Sequence, residues 1–160
     1  MSPVRYVHTN IVARDWRALA GFYIRVFHCE VVPPERDLSG SWLEELTSIA
    51  DVRLQGAHLA LPGYPENGPT LELFTYSPQE GRQEDRLINR QGLGHIAFSV
   101  DNVEQTVQRI LQEGGSILGK VVRKRFEGRG MLTVAYCRDP EGNYVEVQHW
   151  SGDERTQQER

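Results

Sequence analysis

The sequence predicts an α+β fold built from two βαβββ modules in tandem, paired so that equivalent positions meet. Three observations lead there. Alternation of period two marks a set of short strands, and apolar stripes at helical spacing follow Asp15 and Asp101. The order strand, helix, three strands then occurs twice in 160 residues. The repetition extends to chemistry. Each first strand carries a histidine, His8 or His95, and each last strand a glutamate between apolar neighbours, Glu72 or Glu146.

The first strand is expected over 4–12, with Tyr6, His8, Asn10 and Val12 on one face and Val7, Thr9 and Ile11 on the other. Asp15 is placed to cap a helix whose buried stripe is Trp16, Leu19, Ala20, Tyr23 and Phe27. Residues 29–32 read as a second strand, stopped by Pro33-Pro34. From 35 to 51 the chain is irregular, with one helical turn at 41–46. Trp42 and Leu43 on that turn either cover a ligand or cap the core. Strands follow at 52–61 and 70–76, separated by a turn rich in proline and glycine. Glu72 points away from the side that Leu71 and Leu73 bury. The polar stretch 77–92 reads as a linker between a first module at 1–76 and a second at 93–150, and 151–160 as a frayed tail.

The second module opens on Gly94-His95-Ile96-Ala97-Phe98-Ser99-Val100-Asp101, which reads as a buried strand over 93–100. Ile96, Phe98 and Val100 form its packing face. His95, Ala97 and Ser99 form a small, polar face suited to the floor of a site. Asp101 is expected to cap the next helix, with Glu104 completing an acidic capping box. Val103, Val107, Ile110 and Leu111 give the stripe, and Gly114-Gly115 ends the helix. A strand at 116–122, a basic glycine-containing loop at 123–130 and a strand at 131–137 follow. Asp139-Pro140-Glu141-Gly142-Asn143 is a turn, and 144–148 (YVEVQ) the last strand.

Composition excludes several classes. Hydrophobic residues make up 39% of the chain, enough for a core. No apolar run approaches the ~20 residues of a membrane helix, and the first residues lack the charged-then-apolar form of a signal peptide. Cys29 and Cys137 lie far apart in no metal-type spacing and read as reduced core thiols, so a cytoplasmic protein is expected. A net charge of −4 gives no case for nucleic acid.

A single histidine on a strand is ordinarily satisfied by a neighbouring carbonyl; its repetition is what points to a site. A lone carboxylate on a covered sheet face is costly. Two modules facing each other would bring two imidazoles and two carboxylates together, and one divalent cation would offset the cost of both glutamates. Such a set suits Zn, Ni, Co, Mn or Fe and leaves up to two coordination positions open. The competing reading is a metal-free protein with four ordinary polar residues. Arg123, Lys124, Arg125 and Arg129 either hold a carboxylate or phosphate or form a solvated basic loop. Asn10 shares the face of His8. His58 lies on a central strand with its facing open, and His28 and His149 read as surface or packing residues.

Four stretches resemble the vicinal oxygen chelate superfamily: His8-Thr9-Asn10-Ile11-Val12 with Phe22-Tyr23, Leu71-Glu72-Leu73, the strand at 94–101, and Asp139-Pro140-Glu141-Gly142-Asn143-Tyr144-Val145-Glu146. That superfamily contains glyoxalase I, methylmalonyl-CoA epimerase, extradiol dioxygenases and antibiotic-resistance proteins. The resemblance implies paired modules curling a mixed sheet around a metal-containing cleft, with the metal on His8, Glu72, His95 and Glu146. This set is similar to that of glyoxalase I. It implies a lyase or isomerase that transfers a proton next to a carbonyl through an enediolate, with Glu146 and Glu72 as bases. The substrate is then a small molecule such as a glutathione adduct or an acyl-CoA, with Asn10, Trp42, Arg125 and Arg129 as substrate-side candidates.

Other branches fit less closely. The epimerases tend to carry an amide at the position of Glu72. An Fe(II) dioxygenase would leave Glu72 surplus, and the metal-free resistance proteins lack the four ligands. A non-catalytic binding or sequestering protein would keep all four. Modules of this superfamily pair within one chain or across two, and a homodimer is expected here.

Overall fold

The computed structural model describes residues 4–81 and 87–152. The chain divides into two compact units, Met1–Glu84 and Asp85–Arg160. The linker reading at 77–92 falls partly, and the tail reading almost wholly, outside the described residues.

In the first unit the order is β1 (His8–Val12), α1 (Trp16–Phe27), β2 (Glu30–Ser39), α2 (Ser41–Thr47), β3 (Arg53–Ala60) and β4 (Thr70–Ser77). The strands form one mixed sheet in the order β1-β4-β3-β2, with β1 parallel to β4 and the other pairs antiparallel. Asp15 caps α1 as its position predicts: its carboxylate accepts from the backbone amides of Arg17 and Ala18. The stripe Trp16, Leu19, Ala20, Tyr23 and Phe27 is buried, joined by Phe22 and Val26.

Three expectations change in this unit. The first strand starts at His8 and not at residue 4. The second strand does not stop at Pro33-Pro34 but runs on to Ser39. It lies at a sheet edge, where a missing amide proton costs no ladder bond. There β2 advances from Val32 to Arg36 while its partner moves only from His58 to Gly56, a bulge that accommodates both prolines. The helical turn at 41–46 is a helix of 7 residues. Leu43 on it is buried against Val52, Leu54 and Phe74, whereas Trp42 stays exposed. Leu43 therefore belongs to the core and not to a ligand cover.

The second unit contains β5 (Ile96–Ser99), α3 (Val103–Gln112), β6 (Ser116–Ile117), β7 (Val122–Phe126), β8 (Gly130–Arg138) and β9 (Tyr144–Ser151). Its sheet runs β5-β9-β8-β6, with β7 also on β8 and β5 parallel to β9. β6 and β7 are one edge strand broken in two. The edge advances from Ile117 to Val122 while β8 moves from Cys137 to Val134, so two extra residues are again absorbed, as in β2. The residues read as a basic loop therefore belong largely to a strand. All of β7 is exposed, so charged side chains cost it nothing, and it is held by its bonds to β8.

Further corrections are local. β5 is shorter than expected and His95 stands just before it. Its faces alternate as expected, but none of its residues is fully buried. The cap of α3 is Asn102, whose side chain accepts from the Gln105 amide. Asp101 and Asn102 are both competent caps, and the backbone of Asn102 takes the extended conformation a cap needs. Glu104 pairs instead with Arg123 across 2.5 Å. The turn at 139–143 is as expected. Asp139 is buried and its carboxylate accepts from the amides of Glu141 and Asn143 and from the Asn143 side chain. Gly142, at φ 78°, supplies the left-handed residue.

Candidate metal centre

Alternation places Glu72 where Leu71 and Leu73 require. Those leucines are buried on the α1 side, so Glu72 points to the other face of β4, yet it remains only 7% exposed. Parallel pairing sets Asn10 opposite Glu72 and brings His8 beside it. His8 Nε2 lies 3.2 Å from Glu72 Oε2, and Asn10 Nδ2 lies 3.5 Å from the same oxygen, a long contact. The second unit repeats the pair. Glu146 sits between the buried Val145 and Val147 and faces away from them. His95 Nε2 is 3.2 Å from Glu146 Oε2.

Each carboxylate has a further neighbour on the adjacent antiparallel strand. His58 is opposite Glu72 in register, and its Nε2 lies 2.9 Å from Glu72 Oε1. Tyr136 is opposite Glu146 and hydrogen-bonds to it, while its ring meets that of His95 at 5.1 Å between centroids. Burial holds the His58 pKa below its ordinary value against the pull of Glu72. Burial, with the Glu146 charge and hydrogen bond, raises that of Tyr136. The facing of His58, open in the sequence, is settled by Ala57 and Leu59, both fully buried on the opposite face. Tyr136 was not singled out by sequence reasoning. Its signal is the matching frame Ala135-Tyr136-Cys137, in which both flanking residues are buried.

Among the described residues, no group of three or more His, Cys, Asp or Glu side chains is arranged to hold a metal ion by itself. What each unit offers is a pair. Donors bound at about 2.1 Å to one ion stand about 3.0–3.4 Å apart at octahedral to tetrahedral angles, so the 3.2 Å N···O separation in both pairs matches two ligands of one metal. The imidazole and the carboxylate that each unit supplies are both donor types that divalent ions accept.

The other candidates are placed differently. Trp42 projects from α2, 52% exposed. Arg125 lines an open depression of about 470 Å³ at the β7–β8 turn, with Phe126, Glu127, Gly128, Gly130 and Gly152. Arg129 lies over the Trp150 ring. Cys29 and Cys137 are free and buried, and burial pushes their thiols up to about 12 and about 11. His149 donates through Nδ1–H to the Val100 carbonyl at 2.8 Å, which makes it a packing residue. No helix among the described residues is long and apolar enough to cross a membrane.

Two βαβββ units, each with its first strand parallel to its last and a His–Glu pair between them, define the class. The model of the Glyoxalase/Bleomycin resistance protein/Dioxygenase superfamily matches residues 5–147, and the chain belongs to that superfamily. Among solved structures, a glyoxalase family protein from Bacillus cereus is similar in fold, with a TM-score of 0.81 at 18% identity over 95% of this chain and 97% of that one. The fosfomycin resistance protein FosX from Listeria monocytogenes gives a TM-score of 0.59 at 17% identity over 98% of each chain. A glyoxylase/bleomycin resistance protein/dioxygenase domain from Frankia sp. EAN1pec gives 0.58 at 18%, over 94% of this chain and all of that one. These likenesses are of fold. No curated protein matches the chain.

Proposed function

We propose that this chain is a divalent-metal-dependent enzyme of the glyoxalase I type, a lyase or isomerase that moves a proton at a carbon next to a carbonyl. The observation that carries this reading is the His–Glu pair found at 3.2 Å in both units. His8, Glu72, His95 and Glu146 would hold one Zn, Ni, Co or Mn ion, the four donors coming from one first unit and one second unit, of the same chain or of two copies in a homodimer. When bound, the ion supplies Lewis-acid stabilisation of negative charge on substrate oxygens.

The chain's own residues do the rest. An ionised carboxylate only accepts, so His8 Nε2 and His95 Nε2 donate to the glutamates, and each must lose that proton before its lone pair can bind a metal ion. Glu72 and Glu146 would be the groups that receive the substrate proton, each being a carboxylate on the site face of its strand. The substrate is a small molecule with neighbouring oxygens, such as a glutathione hemithioacetal or an acyl-CoA. Asn10 and Trp42 would line its approach, and Arg125 and Arg129 would take a carboxylate or phosphate at its far end.

The test is elemental analysis of protein purified without a metal-binding tag, followed by assays with hemithioacetal and acyl-CoA substrates. About one Zn, Ni or Co per complete site, with isomerisation lost in Glu72→Gln and Glu146→Gln, supports the reading. Protein that contains no metal and takes up no divalent ion overturns it.

A further inference from the structure

The two carboxylates of the candidate centre are held from behind by residues outside the His–Glu pairs. We propose that His58 and Tyr136 are positioning residues: each donates a hydrogen bond from the neighbouring strand to its unit's glutamate and aims the other carboxylate oxygen at His8 or His95. This rests on the metal reading of the preceding subsection but concerns residues that reading does not use.

Register is the first support. His58 and Glu72 are direct cross-strand partners, and so are Tyr136 and Glu146. The two residues therefore occupy the same place in the repeat, each flanked by buried neighbours that turn it toward the glutamate. The second support is donor chemistry. His58 Nε2 stands 2.9 Å from Glu72 Oε1, an atom that only accepts, so Nε2 bears the proton. In the neutral ring Nδ1 is then an acceptor, and Thr70 Oγ1 lies 3.3 Å from it, placed to donate. The Tyr136 hydroxyl likewise donates to Glu146.

The third support is the division of oxygens. His58 takes Oε1 of Glu72 while His8 takes Oε2, so His58 leaves free the oxygen that faces the proposed ligand. Tyr136 stands in the same register place toward Glu146 as His58 does toward Glu72, and that equivalence assigns both to support and not to ligation. Partners of this kind fix ligand orientation and commonly govern metal affinity.

Two measurements on the full chain test this. Long-range proton–nitrogen NMR reads the imidazole tautomers without metal and with Zn(II). His58 is expected as the Nε2–H tautomer in both states, while His8 and His95 lose Nε2–H when Zn(II) is added. Zn(II) titration of His58→Phe and Tyr136→Phe is expected to show affinity lower by roughly 10–100-fold, with His58→Gln, which restores a donor at the Nε2 position, recovering most of it. Folding of each variant is checked by its spectrum. Wild-type-like affinity in both Phe variants, an Nδ1–H tautomer at His58, or direct Zn(II) ligation by His58 overturns the proposal. Absence of Zn(II) uptake by the wild type overturns the metal reading, and with it any metal-positioning role. The metal-free tautomer separately decides whether His58 holds Glu72.

Discussion

Replacing Asp139 offers a direct measure of how the β8–β9 connection maintains the register that sets Tyr136 opposite Glu146. The carboxylate is 2% exposed and accepts three hydrogen bonds, at 2.9, 2.9 and 2.8 Å. Bonds to a charged acceptor contribute about 1.5–3 kcal/mol each. Glu141 and Asn143 are only half-buried, so some of their freed donors regain water. Asp139→Ala is therefore expected to destabilise by about 3–5 kcal/mol, short of the full sum. Asp139→Asn keeps an oxygen for the two backbone amides but sets an NH2 against the Asn143 side chain, and should cost about 1–2 kcal/mol. Urea denaturation followed by tryptophan fluorescence, with Trp150 on β9 as reporter of the second unit, reads both. A loss below about 1 kcal/mol in the alanine variant, or equal losses in the two variants, would refute the hydrogen-bond accounting.

Four other outcomes are expected. A Cβ at Gly56 would run into the Leu73 carbonyl and the Phe74 ring, so Gly56→Ala should cost more than about 3 kcal/mol in the same assay. Cys29 and Cys137, with thiols pushed up to about 12 and about 11, should resist iodoacetamide at pH 8 in the native protein and react once it is unfolded. The Arg53 guanidinium, by its hydrogen bonds, holds Asp37 below the ordinary aspartate value of 3.8. That pair's contribution to stability is thus present above the unfolded value and lost as pH falls through the folded one, and an Arg53→Gln variant should return the Asp37 NMR titration toward 3.8. Zn(II) at a hundred times its Kd should stabilise the metal-binding assembly by about 2.7 kcal/mol in a thermal or chemical melt, and His8→Ala should abolish most of that gain.

What could be read from the chain alone depended on how local each signal was. The α1 cap and stripe, the 139–143 turn and the alternation that turns Glu72 and Glu146 away from their neighbours all rest on residues a few positions apart, and they are seen as expected. The edge strands did not announce themselves. An exposed edge needs neither apolar alternation nor every amide proton, so Pro33-Pro34 looked like a stop and Arg123-Lys124-Arg125 like a loop. The cap of α3 fell between two adjacent competent residues, and only backbone conformation separates Asn102 from Asp101. His58 and Tyr136 are tied to the glutamates by cross-strand register, which links positions 14 and 10 residues apart along the chain and is fixed by turns and bulges between them. Leu43 illustrates the same limit: its neighbour Trp42 looks more core-like by size, yet helix phase buries the leucine.

The twin interruption of the outer strands bears on how such sheets stay apart. An open strand edge is a template for another chain, and continuous apolar edges invite fibrous association. Here β2 shifts register at two prolines and then presents Glu35, Arg36 and Asp37, while β6–β7 shifts by the same two residues and then presents Arg123, Lys124 and Arg125. An incoming strand that matched either edge before the break would be out of step beyond it, and would meet charge where it needed an uninterrupted ladder. The feature that hid these strands from a periodicity reading thus makes these two edges poor templates for an added strand. Removing it, by deleting two residues from each break and neutralising the charges, is expected to raise the light scattering of the protein on incubation relative to the parent chain.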